Sequence, residues 1–434
     1  MQAEANDNRL DLTLLPESAR VAADQALCFG QDRAADFAAQ YGTPLFLYDL
    51  SEIADRLREA LALFGPGVAY ATKAFLCGDL VALAKSVGVS LDVSTEGEYE
   101  AARAAGFPSE RLVVHGNNKS DRLLQWAAKD GVQWVVLDNM YDIERMSAVA
   151  RYAGNQVSVL IRVNPGIEVH THEFYATGNR DSKFGIPAWN GDASKALDVV
   201  RRDNWMRFRG LHTHIGSLVY SLPNFARGIE ALGGVIEAAD PEIFVVGGGL
   251  GVRYLNSDVA PTLAQWASAM KDALLEVGFG GRVLAEPGRC IVAKAAITLY
   301  RVGTVREASS QTIVAVDGGM SDNPRPLIYG SGYEVALIDN VVGPRSWPVR
   351  LVGSHCESGD TLIEQGFLQR KPVPGDLVFT PVTGAYGFCM ASNYNCMPRP
   401  AVVLVESGVA RIAVERETFE GMRLRDRYYG QAPQ

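Results

Sequence analysis

The sequence predicts an α/β fold, a TIM-like (β/α)8 barrel joined to a C-terminal antiparallel β domain. Three observations point there. Eight short apolar, β-branched runs alternate with amphipathic stretches between about residues 45 and 290, polar residues stand where each run stops, and the texture changes after residue 290. A chain of 434 residues also exceeds one ordinary core, so two domains are expected.

The first segment, residues 1–44, ends in AADFAAQYGTP, a helix and a turn leading into the strand-like LFLYDL, and is assigned to the β domain. The barrel is assigned to residues 45–290. Its runs are VAYATK (68–73), VSLDVST (89–95), LVVHGN (112–117), WVVLDN (134–139), VSVLIRVN (157–164), FRGLHTHI (208–215), IFVVGGG (243–249) and RVLAEPG (282–288). Between them, GDLVALAKSVG, GEYEAARAAGF, SDRLLQWAAKDG and YDIERMSAVARYAG repeat apolar residues at three and four, the period of a helix with one buried face. Near-continuous apolar strands alternating with helices mean a parallel sheet covered on both sides. Eight units favour closure into a barrel, although an open doubly wound sheet would share the alternation. Residues 291–434 form the β domain. ITLYRVGTVRE, TIVAVDGG, PVRLVGS, DLVFTPV and AVVLVESGVARIAVERE alternate plainly and lack long intervening helices.

Composition narrows the partners. Lys and Arg number 41 against 50 Asp and Glu, a net charge of −9 that argues against a nucleic-acid surface. The six cysteines show no CxxC pair and no Cys/His cluster, so neither a structural metal site nor a disulfide framework is expected. The first residues lack a basic region followed by a long apolar stretch, and no run approaches the ~20 apolar residues of a membrane span. A reduced, cytoplasmic protein with no membrane partner is expected.

In a barrel every strand end lies on one rim, the face where barrel enzymes keep their chemistry. Lys73 ends the first run, between Ala71, Thr72, Ala74 and Phe75. Most lysines are solvated surface charges, but one in an apolar, partly desolvated place loses ammonium stability and can form a Schiff base. Gly247–Gly251 (GGGLG) follows the seventh run, where barrels bind phosphate through backbone N–H groups; a bare glycine turn would read the same. It lacks the spacing of a dinucleotide fingerprint. Glu286 and Arg289, in EPGR after the eighth run, make a surface salt bridge in the bland reading. Beside a phosphate loop, the guanidinium suits an anion and the carboxylate a protonated ring nitrogen. His214, in HTHIGS, is either a packed core histidine or a flat surface for an aromatic ring. Amine, phosphate loop, carboxylate and histidine at one address describe a pyridoxal 5'-phosphate site.

These residues carry a resemblance that spans nearly the whole chain, from YGTPLFLYD (41–49) to ERETFE (415–420). YATKAF, HGNNKS (115–120), RVNPG (162–166), HTHEFYATG (170–178), DSKFGI (181–186), HIGS (214–217), GGGLG, EPGR, NPRPLIYG (323–330), CESGD (356–360), GAYG (384–387) and NYN (393–395) resemble the diaminopimelate decarboxylases. Those are pyridoxal-phosphate enzymes of the alanine-racemase-like fold. The resemblance implies decarboxylation of meso-diaminopimelate to lysine. Lys73 would carry the cofactor, with His214, Ser217, Gly249, Glu286, Arg289 and Tyr386 around it. Arg289, Arg325, Tyr329, Glu357 and Tyr386 would meet the substrate, and Cys356 would donate a proton. It further implies a homodimer whose sites are shared, the Cys356–Glu357 segment reaching in from the neighbouring subunit.

Charge agrees with the resemblance, since Arg325 and Glu357 oppose the distal carboxylate and ammonium of diaminopimelate, whereas lysine and ornithine lack that carboxylate. The alternatives are a sister decarboxylase for ornithine or for a siderophore or antibiotic precursor, a racemase of the same fold, and a catalytically inactive regulator. RPLIY and CESGD disfavour the first, the long C-terminal domain the second. A regulator has no chemical need for Lys73, Glu286, Cys356 and Tyr386 together. FVVGGGLG, DGGM (317–320) and GSGYEVAL (330–337) depart from common family versions beside retained motifs.

Overall fold

The eight runs form eight short strands: β1 (Ala69–Ala71), β2 (Ser90–Val93), β3 (Leu112–Val114), β4 (Trp134–Leu137), β5 (Val157–Asn164), β6 (Met206–His212), β7 (Ile243–Val245) and β8 (Arg282–Leu284). In the computed structural model, which describes residues 8–167, 178–309 and 311–430, they pair in parallel and in sequence order. The Ala69 N–H donates to Ala285 O and the Ala71 N–H to Pro287 O, both at 3.1 Å, so β1 meets the end of β8 and the barrel closes. Ala69, Val113, Trp134, Val136, Leu160, Ile243, Val245 and Leu284 fill its centre, which makes it a packed core and leaves only the rim for chemistry.

The helices start and stop where their sequences dictate. Thr95, Ser120 and Asn139 each accept a first-turn backbone N–H through the side chain. Gly88, Gly131 and Gly154 end theirs in the left-handed region, where a side chain would be strained. The connections after β2 and β4 are only two residues long (94–95 and 138–139), and the strand-end residues lie on one rim.

Ala54–Val252 and Val259–Ile291 make up this barrel unit. Met1–Ile53, Arg253–Asp258 and Val292–Gln434 form the second. The expected start of the barrel at residue 45 is corrected here, because Leu45–Asp49 pairs with Ala296–Glu307 and Ala401–Glu406 in the second unit's sheet. All five of its residues are buried, and a continuous apolar run cannot by itself say which sheet it joins. That sheet is largely antiparallel, with two parallel pairings: Leu45–Asp49 on Ala401–Glu406, and Thr312–Val316 on Trp347–Val352. AVVLVESGVARIAV forms the hairpin Ala401–Glu406/Val409–Val414, turned by Ser407 and Gly408, both at positive φ as a two-residue hairpin loop requires. Among the described residues, no helix is long and apolar enough to cross a membrane.

Candidate active site

Six of the expected site residues lie in the barrel unit. Lys73 sits in the single turn Thr72–Ala74 after β1, between buried Thr72 and Ala74. Its backbone is anchored by the Thr72 hydroxyl, which donates to Asp92 O at 2.7 Å. Its chain neighbours Ala71, Thr72, Ala74 and Phe75 are all buried. Lys73 itself is exposed. It acts electrostatically on Asp92 and His214.

The EPGR turn packs directly against that lysine turn. A Cβ on Gly288 would meet Ala71 Cβ at 3.0 Å, and Pro287 O accepts from Ala71 N–H. Arg289, buried, donates from Nη2 to Ser217 Oγ at 3.0 Å. Glu286 is also buried. Its Oε1 lies 2.8 Å from His115 Nε2 and its Oε2 3.0 Å from His212 Nε2. Burial opposes its ionisation, but the two histidines outweigh that and hold the carboxyl well below its ordinary value.

The triple glycine backs this arrangement. Gly247 and Gly249 have φ of 65° and 103°. A Cβ on Gly249 would fall 2.1 Å from Gly216 O, and one on Gly247 2.6 Å from Thr213 O. Only glycine lets the loop lie this close to the β6 rim. The Gly248 N–H donates to His214 Nδ1 at 3.1 Å. His214 therefore holds a bare Nδ1, and its pKa is pushed well below the usual imidazole value by burial and then by the charge of Lys73. A neutral, flat ring is thus fixed beside the glycine loop. Gly249→Ala is expected to destabilise the fold by about 3 kcal/mol or more. Gly234→Ala, in a helix with open space around it, should be neutral or stabilising by up to about 1 kcal/mol. Urea unfolding compares the two.

Residues that the sequence reading passed over complete the rim. His115 (end of β3), His212 (β6) and Asp92 (β2) surround Glu286. Arg162 on β5 pairs with Asp138 at 3.4 Å. All stand at strand ends, in the quoted runs, and that common address was the available signal. No metal was expected. His115, His212 and Glu286 do bring three ligand-type atoms within 4.8 Å of one another, but Glu286 directs one oxygen at each imidazole.

The remaining five expected residues lie in the second unit. Arg325 is wholly buried. Its Nη1 donates to the Tyr333 hydroxyl, its Nη2 to Ser331 Oγ at 3.1 Å, and its guanidinium lies 4.3 Å from the centroid of Tyr254. Tyr329 ends the same short helix, Arg325–Tyr329. Cys356 and Glu357 are exposed. Their loop is tied down by Asp360, which accepts from Met320 N–H (2.6 Å) and His355 N–H (2.8 Å), and by Asn395, whose Oδ1 accepts from Cys356 N–H at 3.1 Å. That bond explains the NYN motif. Glu357 Oε1 accepts from Ser358 and Gly359 of its own loop. Tyr386 is held at φ 58°. HTHEFYATG, apart from Gly178, lies outside the described residues.

A lysine on an open rim, a glycine loop, a buried arginine bonded to a half-buried serine and an ionised carboxylate together fit pyridoxal phosphate. Comparison with known proteins agrees. Residues 50–293 match the family model described as pyridoxal-dependent decarboxylase, pyridoxal binding domain. Over 418 residues the chain is 41% identical to a diaminopimelate decarboxylase of Mycobacterium tuberculosis (strain ATCC 25618 / H37Rv), covering 91% of this chain and 94% of the relative. This chain belongs to the diaminopimelate decarboxylase family of pyridoxal-dependent decarboxylases. A relative from Bacillus subtilis (strain 168) is 40% identical, covering 88% of this chain and 91% of its own. Among solved structures, diaminopimelate decarboxylase from M. jannaschii in complex with L-lysine superposes with a TM-score of 0.86 at 26% identity, covering 94% of this chain and 98% of that one. Lysine/ornithine decarboxylase from Vibrio vulnificus (TM-score 0.72, 24% identity, 86% of this chain and 96% of that one) shares the fold. Membership in the family carries the cofactor with it, pyridoxal 5'-phosphate.

Proposed function

We propose that the protein decarboxylates meso-2,6-diaminopimelate to L-lysine and carbon dioxide, as a cytoplasmic homodimer serving lysine biosynthesis. The observation that carries the reading is the buried Glu286, faced by His115 and His212, on the same rim as Lys73 and the glycine loop. When bound, pyridoxal phosphate supplies an aldehyde that captures an amine and a ring that accepts the electron pair left by departing carbon dioxide. The chain does the rest. Lys73 would hold the cofactor through its Nζ, an amine that the substrate's own amine matches in kind. Gly249, Ser217 and Arg289 bind the phosphate, the guanidinium as a charge-assisted donor. Glu286 would hold a proton on the ring nitrogen, His214 would offer its flat face to the ring, and Tyr386 would join the cofactor shell. Cys356 Sγ returns a proton to the substrate carbon.

Specificity rests on Arg325, with Tyr329, Glu357 and Arg289. A wholly buried guanidinium is undamped by water and fixed by Tyr333 and Ser331, so it discriminates sharply between substrates with and without a distal carboxylate. Carbon dioxide release should be fastest with meso-diaminopimelate among a panel including lysine, ornithine and arginine. Arg325→Gln should lower kcat/KM for diaminopimelate roughly 10- to 100-fold, the worth of one charged hydrogen bond. Preference for ornithine in the unaltered protein would move the assignment to a sister decarboxylase.

The exposure of Cys356 and Glu357 in the single chain suits residues that complete a neighbour's site. Mixing inactive Lys73→Ala and Cys356→Ala chains should recover up to about a quarter of the activity, the share of mixed-dimer sites with both residues intact when chains assort freely. Confirmed heterodimers with no recovery would show that each site is self-contained.

A further inference from the structure

The rim contains a group of side chains that the proposed chemistry leaves without a task. The two imidazoles on Glu286 meet edge to face, with centroids 4.9 Å apart and planes at 65°. Each directs Nε2 at a different carboxylate oxygen, 2.8 Å for His115 and 3.0 Å for His212. Behind His115, Asp92 Oδ1 lies 3.8 Å from the same Nε2. All four residues are buried, and they come from four strands, β2, β3, β6 and the end of β8.

An ionised carboxylate is acceptor-only, so both ring nitrogens facing it carry protons. Two N–H donors on opposite oxygens fix the orientation of the carboxylate and stabilise its charge. When a carboxylate shares a proton with a ring nitrogen, whatever stabilises the carboxylate's charge leaves the proton on the ring. A cation at His115 would by itself repel a protonated ring, and the Asp92 carboxylate offsets that repulsion. The other charged or titratable groups facing the cluster are Lys73, Glu98, Arg162 and His214.

We propose that His115 and His212, with Asp92 behind them, are positioning residues that hold Glu286 ionised and oriented toward the cofactor's ring nitrogen. The proposal rests on the pyridoxal-phosphate reading of the rim. The histidines need not touch the cofactor; they act through Glu286. Burial opposes the charge on His115, but Asp92 and Glu286 outweigh it and raise its pKa above the ordinary imidazole value. Burial pushes His212 down to about 4, so it remains a neutral donor.

The test separates the cofactor from the cluster. In cofactor-free protein, histidine-labelled NMR should show a His115 resonance, assigned by its loss in His115→Gln, that titrates above 6.5. That titration should move to lower pH in Glu286→Gln and in Asp92→Asn, because each variant removes an attracting carboxylate. In the holoenzyme, His115→Gln should change the pH profile of the cofactor's absorbance and lower kcat roughly tenfold to a hundredfold, as loss of an orienting partner does for bound ligand groups. KM should stay within about twofold, since the substrate does not meet His115. Asp92→Asn, the milder change, should shift the same profile less. An unmoved His115 titration in both carboxylate variants overturns the proposal, and so do superimposable absorbance profiles. Borohydride trapping at Lys73 in the same samples keeps the two readings apart. Trapping with unmoved profiles defeats only the positioning role, whereas failure to trap even in the unaltered enzyme defeats the reading beneath it.

Discussion

Lys73→Ala should leave a folded chain that no longer binds pyridoxal phosphate covalently and releases carbon dioxide at least about 10⁴-fold more slowly, the scale seen when a covalent catalytic group is removed. The fold should survive because Lys73 is exposed while its neighbours Thr72 and Ala74 carry the packing of the turn. The visible band of the bound cofactor should disappear with the attachment. Circular dichroism and urea unfolding establish that the chain is intact, and an absorbance titration with added cofactor reads the loss. A variant that kept both the band and the activity would remove Lys73 from the chemistry.

Glu286→Gln is expected to lower kcat about 10²- to 10³-fold, comparable to deleting one preorganised electrostatic group. An amide cannot hold a proton on the ring nitrogen. It also places an NH2 where one of the two oxygens accepted from an imidazole N–H, so donor faces donor at that contact. Stability changes with a definite sign. Glu286 has a depressed pKa, so its stabilising share is present above its unfolded value near 4.5 and is lost as pH falls through the folded value. His115 has a raised pKa, so its share is present below 6.5 and is lost as pH rises through the folded value. The variant loses the Glu286 part of both. Its stability should fall most between those limits, where Glu286 and His115 are both charged. Thermal unfolding from pH 4 to 9 measures this, and an unchanged pH profile would contradict the assigned charges.

The barrel was legible because periodicity reports burial. Each strand is a short apolar run, and helices such as Asp121–Asp130 and Met140–Ala153 are bounded by a capping Ser or Asn and a terminating Gly, signals that act within a few residues of the helix ends. The strand-end rule found Lys73, His214, Gly249, Glu286 and Arg289 for the same local reason. Other features depend on contacts between distant segments. Leu45–Asp49 is apolar on both faces and reads as a barrel strand, yet it joins residues 296 and 401. Arg253–Asp258 lies within the barrel sequence but clusters with the second unit, where Arg253 pairs with Asp11 at 2.7 Å. His115 and His212 carry no local mark that singles them out; only the closure of the barrel brings β3 and β6 to Glu286. Arg325 could be singled out by its motif, but its burial between Tyr254 and Tyr333 joins residues about 70 and 8 positions away, and no local pattern encodes that.

The central claim is that one rim amine holds the cofactor, and reduction tests it most directly. Holoenzyme treated with borohydride, digested and sequenced by mass spectrometry should carry a pyridoxyl group on the peptide containing Lys73 and on no other. A label on a different lysine, or none from a protein that has taken up the cofactor, would contradict the account.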